Sequence, residues 1–444
     1  MKPQAISRSV ILTLSGLCAT ILLMTCSPNT VDPKNHGTKV LDAFNRSVFE
    51  MAVAEDGLLT LKGLRTAAMM HVAAHDALNS IAPVYTPYTF ESASSASLPE
   101  LSVAYAMHTV AVGQYPDQKS VLDSLLGQWT TEIPESQITQ AKALGEAAAS
   151  AIIDLRQDDG WNGEAEYTWH PMAPGVYAEF NEHSGTPEGF VFGAGWAQAK
   201  TFLLQKADQF RSPPPPDIQS AAYATAFDEV KSFGSENSEV RSQDQRHLAL
   251  WWKDFVENSH NRLARQLIVQ ETLDLWQAAR VYALLNMTVY DAYINVFDNK
   301  FHYNHWRPYT AIRWAEHDGN DATEADPDWN NLHQHTYAFP SYPSAHGTAS
   351  SAAMTVLAAT LGTGDTYGFT MVTETVDSSG PFSPTLYMDP PTRSFDSFSQ
   401  AGYEAAISRV YLGIHFRYDS EEGHRLGNTI GAYANSNYLL PIHE

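Results

Sequence analysis

The stretch Phe339-Pro-Ser-Tyr-Pro-Ser-Ala-His-Gly-Thr-Ala-Ser-Ser-Ala-Ala-Met-Thr-Val-Leu-Ala-Ala-Thr-Leu-Gly362 puts two prolines, two serines and a histidine directly before a run of small residues. Pro340 and Pro343 hold Phe339 and Tyr342 extended, because a proline ring clashes with a helical residue before it. Ser344 is a good N-cap. Ala349, Ala352, Ala353, Val356, Leu357 and Leu361 then recur at helical spacing, and Gly362 stops the run. The unpaired N–H groups of the first turn and the positive end of the helix dipole face Ser344 and His346, an arrangement that suits an anion. Small residues in the first turns let neighbouring segments come close. Read by itself, the segment is first of all an ordinary capped helix with a histidine in its first turn.

Two other segments change that balance. The helical pattern Leu273–Phe297 is expected to end near Lys300, and Pro308 suits the first turn of a new helix, so Lys300 and Arg307 flank a helix junction. Farther on, Arg409 and His415 are six residues apart, which on an unbroken helix puts them on different faces. Gly413 predicts a break between them, leaving His415 in a turn and free to face the same pocket as Arg409. Asp419 has two readings, a cap for the following helix or a partner that orients His415.

Around these segments the chain reads as all-α, built from packed bundles. Leu61–Ile81, Leu101–Val112, Ile138–Leu155, Gln245–Val256 and Leu273–Phe297 have helical apolar spacing. Ser212-Pro-Pro-Pro-Pro-Asp217 reads as a stiff surface crossing, and Gly364–Ser399 as a long ordered loop. Residues 1–26 read as an export signal, with Lys2 and Arg8 before the apolar run Val10–Met24. Leu23-Met24-Thr25-Cys26 is a loose lipobox, so a lipid on Cys26 is expected to be the chain's one link to a membrane; a plain secretory signal is the other reading. Residues 27–40 read as a tether and 41–444 as one helical domain. The chain's two cysteines are Cys18 and Cys26, so no internal disulfide is expected after export. A net charge of −23 repels nucleic acid and anionic lipid heads. His71 and His75, one turn apart, lack the glutamate of a His-Glu-x-x-His motif and are expected to pack in a helix. Trp306 is expected in the core, and His302, His305, His333 and His335 at the rim or surface.

Lys300 with six residues to Arg307-Pro308, then Pro343-Ser344-Ala345-His346, then Ser408-Arg409 with five residues to His415 and three more to Asp419, resembles the three-part signature of the vanadium-dependent haloperoxidases and the related type-2 phosphatidic acid phosphatases. The neighbourhoods Ala279–Met287, Tyr303–Arg313, Val410–Arg417 and His71–Asn79 resemble the bacterial haloperoxidase branch, and the similarity runs over roughly residues 45–435. The resemblance implies two helical bundles around one vanadate site. It implies that His415 bonds vanadium, and that Lys300, Arg307 and Arg409 neutralise the oxyanion with Ser344 and the Ala345 N–H. His346 would handle protons and Lys300 would polarise peroxide. Phe339 would form an apolar wall. The implied substrates are hydrogen peroxide, halide and a small organic acceptor; the oligomeric state stays open. Ala345 departs from the family's usual glycine but keeps the N–H if its φ is helical. Phe297 stands where some chloride-active members carry tryptophan. The rival readings are an acid phosphatase working through a phosphohistidine on His415, and a non-catalytic oxyanion-binding lipoprotein.

Overall fold

The computed structural model describes residues 31–56, 61–94, 98–178, 183, 190–380 and 383–442. The expected export signal and Cys26 lie outside the described residues. Thirteen helices dominate what is described. The N-terminal bundle holds α1 (Lys39–Asp56), α2 (Leu61–Ile81), α3 (Pro99–Gln114), α4 (Lys119–Thr130) and α5 (Glu135–Leu155). After a long irregular crossing come α6 (Ala221–Phe233), α7 (Gln243–Trp251), α8 (Val256–Gln270), α9 (Leu275–Tyr303) and α10 (Pro308–Arg313). The second bundle closes with α11 (Ala345–Thr360), α12 (Phe398–Tyr411) and α13 (Arg417–Asn437). Helix α9 packs on α2 on one side and on α11 on the other, so it joins the two bundles, and one apolar core runs from Val40 to Leu439 through both.

The all-α expectation holds, and α2 has the expected limits. Three expectations need correction. The pattern Gln245–Val256 is two helices: α7 stops at Trp251 and α8 starts at Val256, with no glycine or proline marking the break. Gly364–Ser399 carries four short strands, β1 (Phe369–Val372), β2 (Thr375–Asp377), β3 (Thr385–Tyr387) and β4 (Thr392–Phe395). They pair antiparallel as β1 with β4 and β2 with β3. The described part of the tether is docked: Pro33–Asn35 is a 3₁₀ turn, α1 begins at Lys39, and His36 bonds the Glu100 carboxylate at 2.9 Å.

The small residues of α11 find their reason in α13. Gly423, Gly427 and Gly431 recur every fourth residue and form one stripe facing α11. A Cβ on Gly427 would overlap the Thr348 carbonyl oxygen, and one on Gly423 would press on Ser344. The stripe brings the start of α13, with Asp419, against the start of α11, where the Ser344 N–H donates to the Asp419 carbonyl at 2.9 Å. In the N-terminal bundle Gly145 of α5 plays the same packing role against the Ser102 carbonyl of α3.

Gly427→Ala and Gly145→Ala are each expected to cost about 1–3 kcal/mol of stability, read by urea denaturation, because neither overlap can be relieved by a flexible side chain. Oxyanion affinity, measured by calorimetry with phosphate, should fall in Gly427→Ala and hold in Gly145→Ala.

Candidate active site

Three helix ends meet at one place. Lys300 lies in the last turn of α9 and Arg409 in the last turn of α12, where the helix dipole favours cations. Arg307 is the N-cap residue of α10, followed by Pro308 in its first turn. Between α12 and α13, Gly413 takes φ +83°, a conformation disfavoured for other residues, and its Cα packs against Gly234. That turn aims His415 inward.

The cations are fully buried and held by backbone carbonyls. The Lys300 ammonium donates to the Pro340 carbonyl at 3.0 Å and the Ser341 carbonyl at 2.7 Å. Arg307 donates from Nε to the Phe339 carbonyl at 2.8 Å and from Nη1 to the Ile414 carbonyl at 3.0 Å. Arg409 Nη1 donates to the Trp252 carbonyl at 2.9 Å. The extended segment fixed by Pro340 and Pro343 is thus the surface on which two of the cations hang. Phe339 lies between them and the cavity, with Lys300 Nζ 5.2 Å and the Arg307 guanidinium 4.7 Å from its ring centre.

His415 is the hinge of the site. Its Nδ1 lies 3.0 Å from Asp419 Oδ2, and its Nε2 lies 3.2 Å from Arg307 Nη1. Arginine can only donate, so Nε2 is the acceptor and Nδ1 carries the proton. Burial, then Arg307, Lys300, Arg409 and His346, hold the imidazole far below its ordinary pKa, which keeps the Nε2 lone pair available near neutral pH. Asp419 Oδ2 also accepts the Phe416 N–H at 3.1 Å and the Ser341 hydroxyl. Asp419 therefore does both things its position allows, capping α13 and orienting His415. Burial pushes its carboxyl up to about 7, against the Ser341 hydroxyl, Lys300, the Phe416 N–H and Arg307.

Ser344 caps α11: its Oγ accepts the Gly347 N–H at 3.2 Å. Ala345 lies in the first turn of α11 without a positive φ, so its N–H keeps a helical direction. Its methyl packs with Phe297, Phe339 and Leu426. His346 follows, its pKa driven well down by burial, Arg409 and His260. Ala345, His346, Arg409, His415 and Phe339 line one cavity. Lys300, Arg307 and Ser344 are buried behind that lining.

The remaining walls come from residues that the sequence did not single out. Phe192, Trp196, Tyr293, Tyr337, Glu257 and Lys253 line the same cavity. Trp196 stands 4.6 Å from Phe297 between ring centres, so an indole reaches the wall from another segment. The only signal for it was a glycine: Gly193, at φ +74°, lies hard against the Phe297 ring. Of the histidines expected at the rim or surface, two are buried, and of these His333 does line the outer groove. His305 is buried, with its Nε2 2.7 Å from the Tyr418 hydroxyl, and His333 is buried beside His335 and Tyr337. Trp306 is in the core as expected. His71 and His75 are taken up by Asn45 at 3.0 Å and by Asp76 at 3.0 Å.

The donor set fits a tetrahedral or trigonal oxyanion. Arg307 Nη2 and Arg409 Nε are buried with no partner among the described residues, and the first-turn amides of α11 have no carbonyl partner within their helix. Three cations face two neutral imidazoles and one shared carboxylate, an excess of positive charge that an anion would balance.

Such a fold and site define a helical protein with a buried, cationic oxyanion pocket. Residues 280–442 match the VCPO second helical-bundle domain, and the fold as a whole is like that of solved bacterial vanadium-dependent haloperoxidases. The vanadium chloroperoxidase of Curvularia inaequalis is 27% identical over 262 aligned positions, which cover 46% of this chain and 42% of that relative's length. The crystal structure of a bacterial vanadium-dependent iodoperoxidase superposes with a TM-score of 0.73 at 23% identity, covering 91% of this chain and 97% of the other. A holo-type bacterial vanadium-dependent chloroperoxidase gives 0.64 at 16% identity, covering 84% and 90%.

Asp419→Asn is expected to weaken vanadate binding about 10–100-fold, because it removes the charge that sets the His415 tautomer. Calorimetric titration with vanadate checks this, and an affinity equal to the parent protein's would contradict the orienting role.

Proposed function

We propose that the cavity binds vanadate and that the protein oxidises halide with hydrogen peroxide to a hypohalous acid equivalent, which halogenates small organic acceptors. The observation that carries this reading is the gathering of Arg409 and a neutral, Asp419-oriented His415 on one cavity wall, with Lys300 and Arg307 directly behind it and unpartnered donors on both arginines. The relatives named above are haloperoxidases, in keeping with it.

When bound, vanadate supplies an electrophilic, fully oxidised centre at which peroxide becomes a two-electron oxidant. His415 Nε2 is the lone pair that would hold the metal, and Asp419 keeps the ring from rotating. The two guanidiniums stay charged at any working pH and would offset the oxyanion's charge. Lys300 adds an ammonium fixed by two carbonyls. His346, neutral near pH 7 by virtue of its burial, is suited to accept a proton from peroxide and return it to the departing oxygen. Peroxide, halide and one proton go in; hypohalous acid and water come out. We also propose that the chain is exported and held to a membrane by a lipid on Cys26.

The deciding assay follows iodide- and bromide-dependent halogenation of a phenol by the full chain, with and without added vanadate, beside p-nitrophenyl phosphate hydrolysis. Vanadate-dependent halogenation is expected, abolished in His415→Ala and lowered about 10²–10⁴-fold in His346→Ala. Halogenation indifferent to vanadate, or phosphate release in its place, would overturn the reading. Cys26→Ser should move the protein from the membrane to the soluble fraction; fractionation unchanged would sink the anchor.

A further inference from the structure

The cavity opens into a larger groove, and the two share Lys253, Phe255 and Tyr337 as lining. Lys253 therefore stands at the neck. Its ammonium is fixed by the backbone carbonyls of Asp377 and Ser379, on the arm that carries β2 and β3. Four residues on, in the first turn of α8, Glu257 lines the inner cavity and accepts the Tyr293 hydroxyl at 3.2 Å on Oε2. No other side chain bonds the Glu257 carboxyl among the described residues. Glu257 is the one carboxyl on a lining whose other charged or basic groups are Lys253, His346, Arg409 and His415.

A second anion meets a hard path here. The chain is acidic overall, at −23, and the groove presents Glu374, Asp377 and Asp254, the last paired with Arg262. Lys253 is the first cation inward from them that is held chiefly by carbonyls. Glu257, if ionised, would set a negative charge at the threshold of a site built for anions.

We propose that Lys253 and Glu257 form an anion gate for halide: it passes while Lys253 carries its charge and Glu257 its proton, and is turned away when both have lost them. This rests on the haloperoxidase reading above. Protonated, the Glu257–Tyr293 pair holds two hydroxyl protons and shares one between its oxygens, leaving the other to face an anion. Deprotonation of both gate residues changes the charge at the neck from +1 to −1 (Lys253 from +1 to 0, Glu257 from 0 to −1).

Both groups are poised for this. Burial, helped by Arg409 and opposed by Asp377, pushes Lys253 down to about 7. Burial, helped by Asp254 and opposed by its own N–H and Tyr293, pushes Glu257 up to about 7. The shifted groups facing them keep their states across neutrality: His346 and His415 stay neutral, Arg409 stays charged, and Tyr293 and Tyr337 stay protonated. His333, also in the groove, is held neutral.

The test is the halide KM at about pH 6 and about pH 8 for the vanadate-loaded parent, Glu257→Gln and Lys253→Met. In the parent it should rise at least about tenfold across that span, a single group titrating near neutrality giving about tenfold by itself. Glu257→Gln should flatten the rise and lower KM at the higher pH. Lys253→Met should raise KM at the lower pH and approach the parent at the higher. The KM for peroxide should hold. Both variants matching the parent's halide KM at both pH values would overturn the gate. Melting temperature and phosphate affinity by calorimetry show that each variant is folded with its site intact. Should the chain bind phosphate yet oxidise no halide, the haloperoxidase reading fails. The gate is then judged by broadening of the chloride resonance, expected at the lower pH and lost in Lys253→Met; no broadening at either pH would sink it too.

Discussion

Three positive charges are buried side by side in this protein, and the architecture around them can be read as the means of keeping them there. Removing an ammonium or guanidinium from water costs several kcal/mol even after relaxation. Lys300, Arg307 and Arg409 add mutual repulsion to that cost, visible in the lowered pKa of Lys300, which burial and Arg307 drive down. Almost no carboxylate is spent on them; Asp419 is the exception and it is shared with His415. The compensation is made of dipoles. Five backbone carbonyls, from Trp252, Phe339, Pro340, Ser341 and Ile414, take the donors. Two of the cations lie in C-terminal helix turns, where the peptide dipoles also point negative ends at them. Dipoles stabilise a cation without cancelling its charge, so the site keeps its demand for an anion. A carboxylate opposite each cation would have satisfied that demand within the protein.

Backbone carbonyls can be aimed only if the backbone is fixed, and this explains the glycines and prolines. Pro340 and Pro343 hold the strand-like segment that supplies three of the five carbonyls. Gly413 lets the chain reverse between Arg409 and His415 while resting on Gly234. The Gly423–Gly427–Gly431 stripe lets α13 approach α11 closely enough for Asp419 and Ser344 to share a hydrogen bond. The anion site is assembled from the start of one helix and the ends of two others, so close helix packing sets its dimensions.

That assembly also decides what the sequence could reveal. Lys300, Arg307, Ser344, His346, Arg409, His415 and Asp419 are legible because each lies beside local punctuation: a proline, a cap or a breaking glycine. Asp419 was legible even in its ambiguity, since capping and orienting use the same carboxylate oxygen. Lys253 and Glu257 carry no such mark. They lie where the apolar spacing of α7 runs on into α8, and the helix break between them is imposed by packing. Trp196 and Phe192 come from an irregular segment whose path depends on what it packs against. The four short strands escaped notice because each is three or four residues long, too short for an alternating pattern. His305 and His333 looked like surface groups by residue type. Tertiary neighbours bury them, and composition holds no record of neighbours.

The ionisable groups fall into a radial order that fits their positions. Innermost are guanidiniums, whose charge no accessible pH removes, and imidazoles pushed so far down that they stay neutral. Neither kind changes state near neutrality; the Asp419 carboxyl beside His415, pushed up to about 7, is the pocket's group that does. Two more groups held near 7 lie farther out, Lys253 at the neck and Glu257 on the cavity wall four residues on. Burial is the largest cause of both shifts, in opposite directions, because it disfavours whichever form is charged. A lysine and a glutamate withdrawn from water on one wall therefore shift toward each other from opposite sides. Near that pKa of about 7 the charge of the neck is most sensitive to pH.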